Sequence, residues 1–353
     1  MVWPKISIIW LNYNSSRILP IVLKSLDSIA NLDYPSDKFE LITVDNGSTD
    51  GSFKTIKEFL KKKSSLRKKI IRLNNNYGFS GGNNIGFMAR DKESKYVLLL
   101  NNDAMLFQRS LKSLVEYAES YNVAGVQGVI LKWGAKFIDS AGGYINELLQ
   151  TYALGGYHEY PWILRKPMYV TYVDGSCALY RVESVLKCLG DKLFIDEFFG
   201  YYEDVALSLM MWNRGYRSVA IPEIVANHFR SLSFGRGKKS VLSTYLYERN
   251  RFALSLITNT RYKYSIFSHV LKGAMLSALR TEKGLTQVRM RALYDGIKLG
   301  RKLRNRRNFI DIYKAPLVKI PRKGIATSLI LERLSTRYFE SWVIKNLSFL
   351  TIM

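Results

Sequence analysis

The sequence predicts an α/β fold in which a mostly parallel sheet is covered by helices on both faces. Two observations carry this prediction. Short apolar runs alternate with segments whose apolar residues recur at helical spacing through the first half of the chain. Each apolar run also ends in a cluster of polar residues, and ligands of such sheets bind beyond the carboxyl ends of the strands. The predicted fold therefore carries a predicted site at one edge of its sheet.

The predicted elements of the first half follow one another as strand and helix. Their order is a strand at 6–14 (ISIIWLNYN), a helix at 17–29, a strand and turn at 39–52, a helix at 53–63, a strand and glycine-rich loop at 68–86, a strand at 95–103 (KYVLLLNND) and a helix at 106–121. Parallel strands need crossover connections of this kind because a hairpin turn cannot join them. The polar clusters at 12–14, 45–50, 74–84 and 101–103 are therefore expected to converge.

The second half is predicted to be less regular. Residues 134–167 are rich in Gly, Tyr and Trp and indicate an irregular insertion. After it we expect a strand at 168–181, an acidic, aromatic loop leading into a helix within 194–216, a strand at 218–229 and, beyond the glycines at 235 and 237, amphipathic helices at 241–257 and 264–279. The apolar positions Ile266, Val270 and Leu271 are expected to pack on the rest of the protein.

Cysteine content and hydropathy indicate the cellular compartment in which the protein is expected. Cys177 and Cys188 are too few for a disulfide framework, and their spacing matches no usual zinc pattern. The N-terminal residues enter a strand at once, so no signal peptide is predicted. The sequence also lacks a run of about 18 uncharged apolar residues, so we predict no transmembrane helix. These observations predict a cytoplasmic protein in a reducing interior.

The stretch LLLNNDAML, residues 98–106, places a carboxylate at the end of a buried strand. Mg²⁺ and Mn²⁺ prefer oxygen ligands and often take few of them from protein, so Asp103 could hold such a cation. It could equally cap the helix predicted to follow. The stretch by itself leaves both readings open.

Further polar residues stand at comparable places along the chain. Asp45 ends one predicted strand, and Glu203 and Asp204 lie where a loop enters a helix. His228 ends a later strand, where it is either a ligand or a hydrogen-bonded core histidine. The glycines of NYGFSGG, which include Gly78 and Gly81, either let the backbone approach a ligand or form a plain tight turn.

Taken in order, these motifs identify a family. The chain resembles glycosyltransferase family 2, and particularly its rhamnosyltransferase-like branch, over about residues 5–255. The motifs that carry the resemblance are ISIIWLNYN, ITVDNGSTDGS, NNNYGFSGGNNIG, YVLLLNNDA, DGSCALYR, FFGYYEDVAL, GYRSVAIPEIVANH and YERNR. The resemblance implies the GT-A fold and transfer, with inversion, of a sugar from a nucleotide-diphosphate-sugar donor. It implies as acceptor a hydroxyl of a glycan or lipid-linked saccharide, in surface polysaccharide or protein glycan assembly.

The resemblance also implies roles for individual residues. Those expected to bind the donor are Asn12, Tyr13, Asp45, Gly78, Gly81, Asn83, Asn102, Asp174 and Gly175. Among them, Tyr13 is a stacking surface for the base and Asp45 accepts a hydrogen bond from it. The catalytic residues would be Asp204 as the base and Glu203, which would orient the acceptor. Alternatively, one of the two carboxylates only places negative charge at a helix N-terminus. Arg249 and Asn250 match the family without an assigned role.

A divalent cation, Mn²⁺ or Mg²⁺, is the cofactor that the resemblance implies. Its ligands would be Asp103 and His228. NNDA occupies the place of the family's Asp-x-Asp signature but departs from it, because Asn101 stands where the family often has an acidic residue. Metal binding therefore depends mainly on Asp103.

Two other functions compete with this interpretation. A sugar nucleotidyltransferase has a similar sheet, but that class has a glycine-rich loop with Arg after the first strand, whereas this chain has LNYNSS. The other rival is a non-catalytic module of the same fold that binds sugar or nucleic acid. The presence of Asp103, Glu203, Asp204 and His228 argues against a decayed site.

Basic residues concentrate in the last third of the chain. Of the net charge of +24, residues 231–353 contribute 25 basic and 6 acidic residues, against 28 and 23 in residues 1–230. Clusters such as Lys238, Lys239 and the run 301–308 could bind nucleic acid, form a solvated face or contact an anionic membrane. We favour peripheral contact with the inner face of the cell membrane and expect no nucleic acid.

The motifs and the charge together suggest a division of the chain. We predict a catalytic domain at 1–235, with a nucleotide-binding half at about 1–125 and an acceptor half at about 126–235. A basic helical region would follow at 236–353.

Overall fold

The computed structural model of the protein describes residues 3–230, 241–279, 283–305, 309–320 and 332–352. The strands are β1 Ile6–Asn12, β2 Phe39–Asp45, β3 Lys68–Arg72, β4 Tyr96–Asn101, β5 Ala104–Leu106, β6 Gly125–Lys132, β7 Ile138–Ser140, β8 Gly143–Asn146, β9 Thr151–Ala153, β10 Met168–Tyr169, β11 Cys177–Arg181, β12 Ser218–His228 and β13 Leu317–Val318. The helices are α1 Leu19–Ala30, α2 Ser52–Lys61, α3 Gly78–Met88, α4 Ser110–Ser120, α5 Val182–Leu189, α6 Glu203–Asn213, α7 Val241–Leu256, α8 Lys263–Leu279, α9 Lys283–Arg304, α10 Glu332–Lys345 and α11 Leu347–Leu350. Short 3-10 helices lie at Ser16–Ile18, Ser36–Lys38, Asp196–Phe198 and Ile312–Lys314.

The main sheet has the strand order β10-β12-β6-β11-β4-β1-β2-β3, with β5 added to β12 and β7 to β6. Strands β4, β1, β2 and β3 pair in parallel, as do β12 and β6. Strand β11 is antiparallel to both β4 and β6, and β10 is antiparallel to β12. A second, small sheet has the order β13-β8-β9.

Successive side chains of the central strands point to opposite faces of the sheet. Both faces are buried, which explains why these strands are almost wholly apolar. In β1, Ile8 and Trp10 join the core cluster that also contains helices α1, α2 and α4, whereas Ile9 joins the cluster on the other face, with Phe87 of α3. The leucines of β4 alternate in the same way between the two clusters. Burying one such side chain contributes about 1.5–3 kcal/mol, so both faces need apolar residues.

The parallel register aligns the polar ends of the strands. Asn12 of β1 pairs with Asp45 of β2, and Leu11 pairs with Asn101 of β4. The strand-end clusters thus reach the same edge of the sheet.

The helix predicted to begin at residue 106 begins four residues later. Residues Ala104–Leu106 instead form β5, which pairs antiparallel with the end of β12, and α4 starts at Ser110. Asp103 therefore precedes a strand and does not cap a helix. The capping interpretation of Asp103 was wrong because tertiary pairing with β12 takes these residues into the sheet.

The predicted glycine-rich loop is largely helical. Gly78 is the first residue of α3, and Gly81 and Gly82 lie inside that helix. A Cβ on Gly82 would stand 2.4 Å from Leu11 Cδ1, so the absence of a side chain lets α3 pack closely on β1. The glycines here allow close packing of the helix on the sheet. The predicted alternative of a plain tight turn was wrong.

Two predictions about the second half also need correction. The segment 134–167, expected to be irregular, contains β7, β8 and β9. The strand expected at 168–181 is two strands, β10 and β11, which pair with different partners in the sheet. The strand-like sequence pattern continues across β10 and β11 because residues 170–173, which connect them, are also buried.

The segment after residue 240 packs against the first 230 residues. Strand β13 pairs with β8, and Phe339 and Val343 of α10 belong to the same core cluster as Val129 of β6. Ile266 and Val270 of α8 are buried, as expected. No helix in the described part of the chain has the length and apolar character needed to cross a bilayer. The proposed boundary at 235, with Lys238 and Lys239, lies outside the described residues, as do positions 306–308 of the basic run.

Candidate active site

Two of the predicted donor residues are joined at the ends of β1 and β2. The Asn12 side-chain amide donates to Asp45 Oδ1 at 2.8 Å, and Asp45 Oδ2 accepts from the backbone N–H of Ser48 at 3.0 Å. The Asn102 amide in turn donates to Asn12 Oδ1 at 3.1 Å. All three predicted residues are buried, whereas the ring of the adjoining Tyr13 is exposed. The strand ends thus form a buried, hydrogen-bonded polar surface beside the exposed ring of Tyr13.

Helix α3 begins beside this edge. Gly78 has φ of +73°, and a Cβ there would lie 2.3 Å from the carbonyl oxygen of Phe199, so the position requires glycine. Gly81 follows in the first turn of the helix. The Asn83 side chain is buried and donates to the Phe79 carbonyl at 2.9 Å, within the helix itself.

Asp103 and His228 are brought together by the pairing of β5 with β12. His228, the last residue of β12, stands opposite Ala104, and its Nε2 lies 3.1 Å from Asp103 Oδ1. Its other ring nitrogen, Nδ1, lies 3.0 Å from Asp139 Oδ2. Asp139 in turn accepts a hydrogen bond from Arg230 Nε at 2.5 Å. A buried imidazole therefore stands between two carboxylates.

The charges around His228 change its titration. Burial favours the neutral ring, but the hydrogen bonds and charges of Asp103 and Asp139 raise the pKa of His228 to about 9. Burial likewise opposes ionisation of Asp139, while His228 and Arg230 lower the pKa of that carboxyl. A cation bound at Nε2 would displace the proton from that nitrogen, because histidine binds metals as the neutral imidazole.

The pair Asp103 and His228 fits a divalent cation. One carboxylate oxygen and one imidazole nitrogen lie 3.1 Å apart and suit Mn²⁺ or Mg²⁺, which complete their shells with water and phosphate oxygens. Asp139 would fix the ring of His228 from the side facing away from the ion, as carboxylates do for histidine ligands elsewhere. Among the described residues, no group of three or more His, Cys, Asp or Glu side chains forms a larger candidate site.

A second group of acidic residues gathers where α6 begins. Asp204 Oδ2 accepts from the Gly175 backbone N–H at 3.2 Å, and Asp204 Oδ1 accepts from its neighbour Val205 at 2.7 Å. Burial and the nearby charge of Asp174 raise the pKa of Asp204 to about 7. Burial, with the charge of Asp204, also raises the pKa of Glu203, whose Oε2 has no hydrogen-bond partner in the described part of the chain. Asp204 is thus tuned to exchange a proton near neutral pH.

Side chains on β6 and β7 join the two groups. Ser140, next to Asp139, lies 3.5 Å from Asp174 Oδ2, and its Oγ accepts from the Gln127 amide at 2.9 Å. Gln127 Oε1 accepts from the backbone N–H of Asp174 at 2.5 Å. The two groups are therefore adjacent along the chain: Ser140, which binds Asp174, follows Asp139, and Gly175, which binds Asp204, follows Asp174.

The sequence interpretation missed Asp139, Gln127 and Arg230. Asp139 lies in the segment expected to be irregular, so nothing marked it as close to His228. Gln127 did leave a signal, since it interrupts the otherwise apolar run of β6 and is wholly buried. A buried amide in the middle of a strand indicates an internal hydrogen-bonding role.

Sequence comparison identifies the family. The profile of Glycosyl transferase family 2 matches residues 7–189, about half of the chain. This match confirms the resemblance and the predicted class of enzyme.

Individual relatives are distant. N-acetylglucosaminyl-diphospho-decaprenol L-rhamnosyltransferase of Mycobacterium tuberculosis is 25% identical in an alignment of 290 positions that covers 72% of this chain and 91% of the relative. Poly(ribitol-phosphate) beta-N-acetylglucosaminyltransferase TarS of Staphylococcus aureus is 27% identical over 119 residues, 33% of this chain. The matched part spans 19% of the length of TarS.

Solved structures share the fold. The mannosyltransferase PcManGT from Pyrobaculum calidifontis, solved with GDP-Man and Mn²⁺, superposes with a TM-score of 0.54 at 16% identity, over 98% of this chain and 87% of that protein. GalNAc-T7, solved with UDP, GalNAc and Mn²⁺, gives a TM-score of 0.59 at 13% identity, over 84% of this chain and 56% of that protein. These likenesses confirm the predicted GT-A fold.

Proposed function

The chain belongs to glycosyl transferase family 2, and from this premise we propose that it is an inverting glycosyltransferase. It would move a sugar from a nucleotide-diphosphate-sugar donor to a hydroxyl of a glycan or lipid-linked saccharide, in polysaccharide or protein glycan assembly. The observation that carries the proposal is the proximity of two groups, the pair of Asp103 and His228 beside Asp139 in β7, and Asp204 bonded to the backbone next to Asp174, which the neighbouring Ser140 of β7 contacts. The name of the M. tuberculosis relative, which describes a lipid-linked diphosphate acceptor, supports the acceptor class.

The donor would lie along the edge formed by the ends of β1, β2 and β4. The exposed ring of Tyr13 offers a stacking surface for the base, and the buried pair of Asn12 and Asp45 forms the floor beneath it. The amino end of α3 begins beside this edge, where Gly78 lets the helix pack against the carbonyl oxygen of Phe199.

Transfer would proceed by direct displacement. The acceptor oxygen attacks the anomeric carbon from the face opposite the diphosphate, and its proton passes to the Asp204 carboxylate. The bond between that carbon and the diphosphate oxygen breaks, with its electron pair leaving on the diphosphate, which inverts the configuration. Asp204, with its pKa near 7, can accept the proton at neutral pH. Glu203, whose pKa is raised by burial, would orient the acceptor through a hydrogen bond.

Asp103 and His228 would hold a divalent cation near the diphosphate. When bound, such an ion supplies positive charge where negative charge grows on the leaving group. Mn²⁺ in PcManGT and GalNAc-T7, which have the same fold, supports this cofactor.

The reaction class is tested with purified protein, Mn²⁺ and a panel of nucleotide-diphosphate sugars. We expect release of a nucleoside diphosphate from at least one donor, and faster release with a saccharide acceptor. Formation of pyrophosphate from a nucleoside triphosphate and a sugar phosphate would instead show a nucleotidyltransferase. Binding of sugar without any turnover would show a non-catalytic module.

We expect Asp139→Ala to weaken Mn²⁺ binding about 10- to 100-fold, because the ring of His228 loses the carboxylate that orients it. Mn²⁺ affinity is measured by isothermal titration calorimetry on protein without donor. Ser140→Ala, which alters the neighbouring side chain but leaves His228 in place, is the control. Unchanged Mn²⁺ affinity in Asp139→Ala would contradict the role of this carboxylate.

We further propose that helices α8 and α9 rest on an anionic membrane surface at the cytoplasmic face. Five exposed apolar residues of α8 fall within about half of its circumference, namely Tyr264, Phe267, Met275, Leu276 and Leu279. Exposed cations of the adjoining α9 include Lys298 and Arg301. Apolar insertion combined with cationic attraction is typical of helices that lie in a membrane interface.

The double substitution Met275→Glu and Leu279→Glu should lower binding to phosphatidylserine-containing vesicles by at least about tenfold, since two apolar contacts are lost. Binding by the parent should also fall with added salt. Flotation measures both effects, with pure phosphatidylcholine vesicles for comparison. The control is Phe349→Glu, an exposed apolar residue on α11. Full, salt-insensitive binding by the double variant would refute the membrane contact.

A further inference from the structure

The loop that leads into α6 has an unusual backbone. Phe199, Tyr201 and Tyr202 have φ values of 65°, 68° and 70°, although none of them is glycine. Side chains with a Cβ rarely adopt the left-handed region, and a bulky aromatic residue does so only where its surroundings impose it. Tyr202 is the residue immediately before Glu203 and Asp204. The conformation of this loop therefore fixes where the two carboxylates stand.

Asn250 of α7 binds the inner side of the loop. Its side chain is wholly buried, and its amide nitrogen lies 2.9, 2.8 and 2.8 Å from the carbonyl oxygens of Phe198, Gly200 and Tyr201. An amide has two N–H donors, so at least one is shared between carbonyls. One side chain thus satisfies three carbonyls of a strained turn.

Arg249, the preceding residue, adds to this contact. Its Nη2 donates to the carbonyls of Glu197 and Phe198 at 2.9 and 2.8 Å, and its Nε donates to Asn250 Oδ1 at 2.9 Å. The guanidinium therefore holds both the start of the loop and the oxygen of the Asn250 side chain. We refer to Arg249 and Asn250 as the α7 clamp.

The opposite side of the loop is held by α3. The Phe199 carbonyl accepts from the Ser80 backbone N–H at 3.1 Å and lies where a Cβ on Gly78 would be. The loop is thus fixed between the helix next to the predicted donor edge and a helix of the basic C-terminal segment. Arg249 and Asn250, which belong to the segment after residue 240, thus bind the backbone of the loop that precedes Glu203 and Asp204.

We propose that the α7 clamp positions Asp204 for catalysis by holding this loop in its left-handed conformation. The inference rests on the proposed function, in which Asp204 is the base. Without the clamp, four loop carbonyls, those of Glu197, Phe198, Gly200 and Tyr201, lose their side-chain donors, and the aromatic residues can return to ordinary φ values. The start of α6 then moves, and a displacement of about 1 Å at a reacting group can cost about 100-fold in rate. Arg249 and Asn250 are positioning residues, since neither reaches the base itself in the structure.

The sharpest test is Asn250→Asp, which keeps the shape of the side chain and its acceptor for Arg249 but removes both N–H donors. We expect kcat to fall about 100-fold, with donor KM and Mn²⁺ affinity unchanged. Steady-state kinetics over a range of donor and acceptor concentrations separate these constants. The matched control is Asn213→Asp in α6, whose amide also donates to two backbone carbonyls, those of Leu209 and Asp311, away from the loop.

Circular dichroism shows whether each variant folds. Should Asn250→Asp unfold, Arg249→Leu decides, because it removes the three guanidinium contacts and keeps the amide donors of Asn250. The value of kcat should again fall without a change in donor KM. Parent-like kcat in a folded variant would overturn the clamp while leaving the proposed function intact. If the parent itself turns over no donor, the proposed function fails instead. A rise in donor KM equal to the fall in kcat would also overturn the proposal for the α7 clamp, because it would show a general distortion of the site.

Discussion

Asp204→Asn should abolish sugar transfer and, at neutral pH, make the folded protein more stable. An amide cannot take the proton of the acceptor, so kcat should fall about 100- to 10,000-fold. The substitution keeps the shape of the side chain, and its oxygen can still accept the N–H of Gly175, although the second bond, from the N–H of Val205, is lost. Binding of donor and Mn²⁺ should therefore persist while turnover is lost.

The stability effect follows from the raised pKa of Asp204. In the folded protein this pKa is about 7, against an ordinary value of 3.8, so between these pH values the folded state holds a proton that the unfolded chain has released. The free energy of unfolding therefore falls as pH rises from about 4 to 7, and ionised Asp204 destabilises the fold at and above pH 7. Asp204→Asn lacks this contribution, so its free energy of unfolding should depend less steeply on pH than that of the parent.

Rates and denaturant unfolding curves measured between pH 5 and 9 test both parts. In the parent, kcat/KM should rise through about pH 7 as Asp204 ionises. Glu183→Gln is a matched control, because Glu183 holds the same second position in α5 that Asp204 holds in α6. Asp204 is not the base if Asp204→Asn retains parent-like turnover.

Asp103→Asn should lower turnover by about three orders of magnitude or more, as expected where a cation contributes several kcal/mol to the transition state. The amide oxygen can still accept a hydrogen bond from His228, so the ion pair is lost without leaving an unpaired carboxylate. The fold should therefore survive, and Mn²⁺ affinity should fall with the rate. Asp103→Ala should have the same effect on transfer.

Electron paramagnetic resonance of added Mn²⁺ measures binding separately from activity. The comparison variant is Asn101→Asp, which introduces a carboxylate at the position where the family often has one. We expect it to bind Mn²⁺ at least as tightly as the parent, because it adds a charged oxygen ligand. Parent-like Mn²⁺ binding and turnover in Asp103→Asn would remove the cation from the proposal.

The sequence was sufficient for the fold class, the family and the meeting of the strand-end residues. Apolar alternation in β1 and β4 is read from near neighbours along the chain, and parallel pairing then places Asn12 beside Asp45 whatever the details of the loops. The motif order supplied Asp103, Asp204 and His228 as candidates. Their chemical roles remain predictions.

Other features depended on contacts between residues far apart in the sequence. The segment after Asp103 has local features that favour a helix, yet pairing with β12 draws it into the sheet and sets Asp103 against His228, 125 positions away. Asp139 lies 89 positions before His228. Strand order and register decide these distances.

The same distinction applies to the basic C-terminal segment. Its composition predicted helices and positive charge, but nothing in the sequence indicated that Asn250 would be buried against the carbonyls of residues 198, 200 and 201. Helical periodicity and charge are properties of a residue and its neighbours within a few turns. Which buried carbonyl a side chain satisfies is decided by how distant elements pack, and only the tertiary structure fixed that.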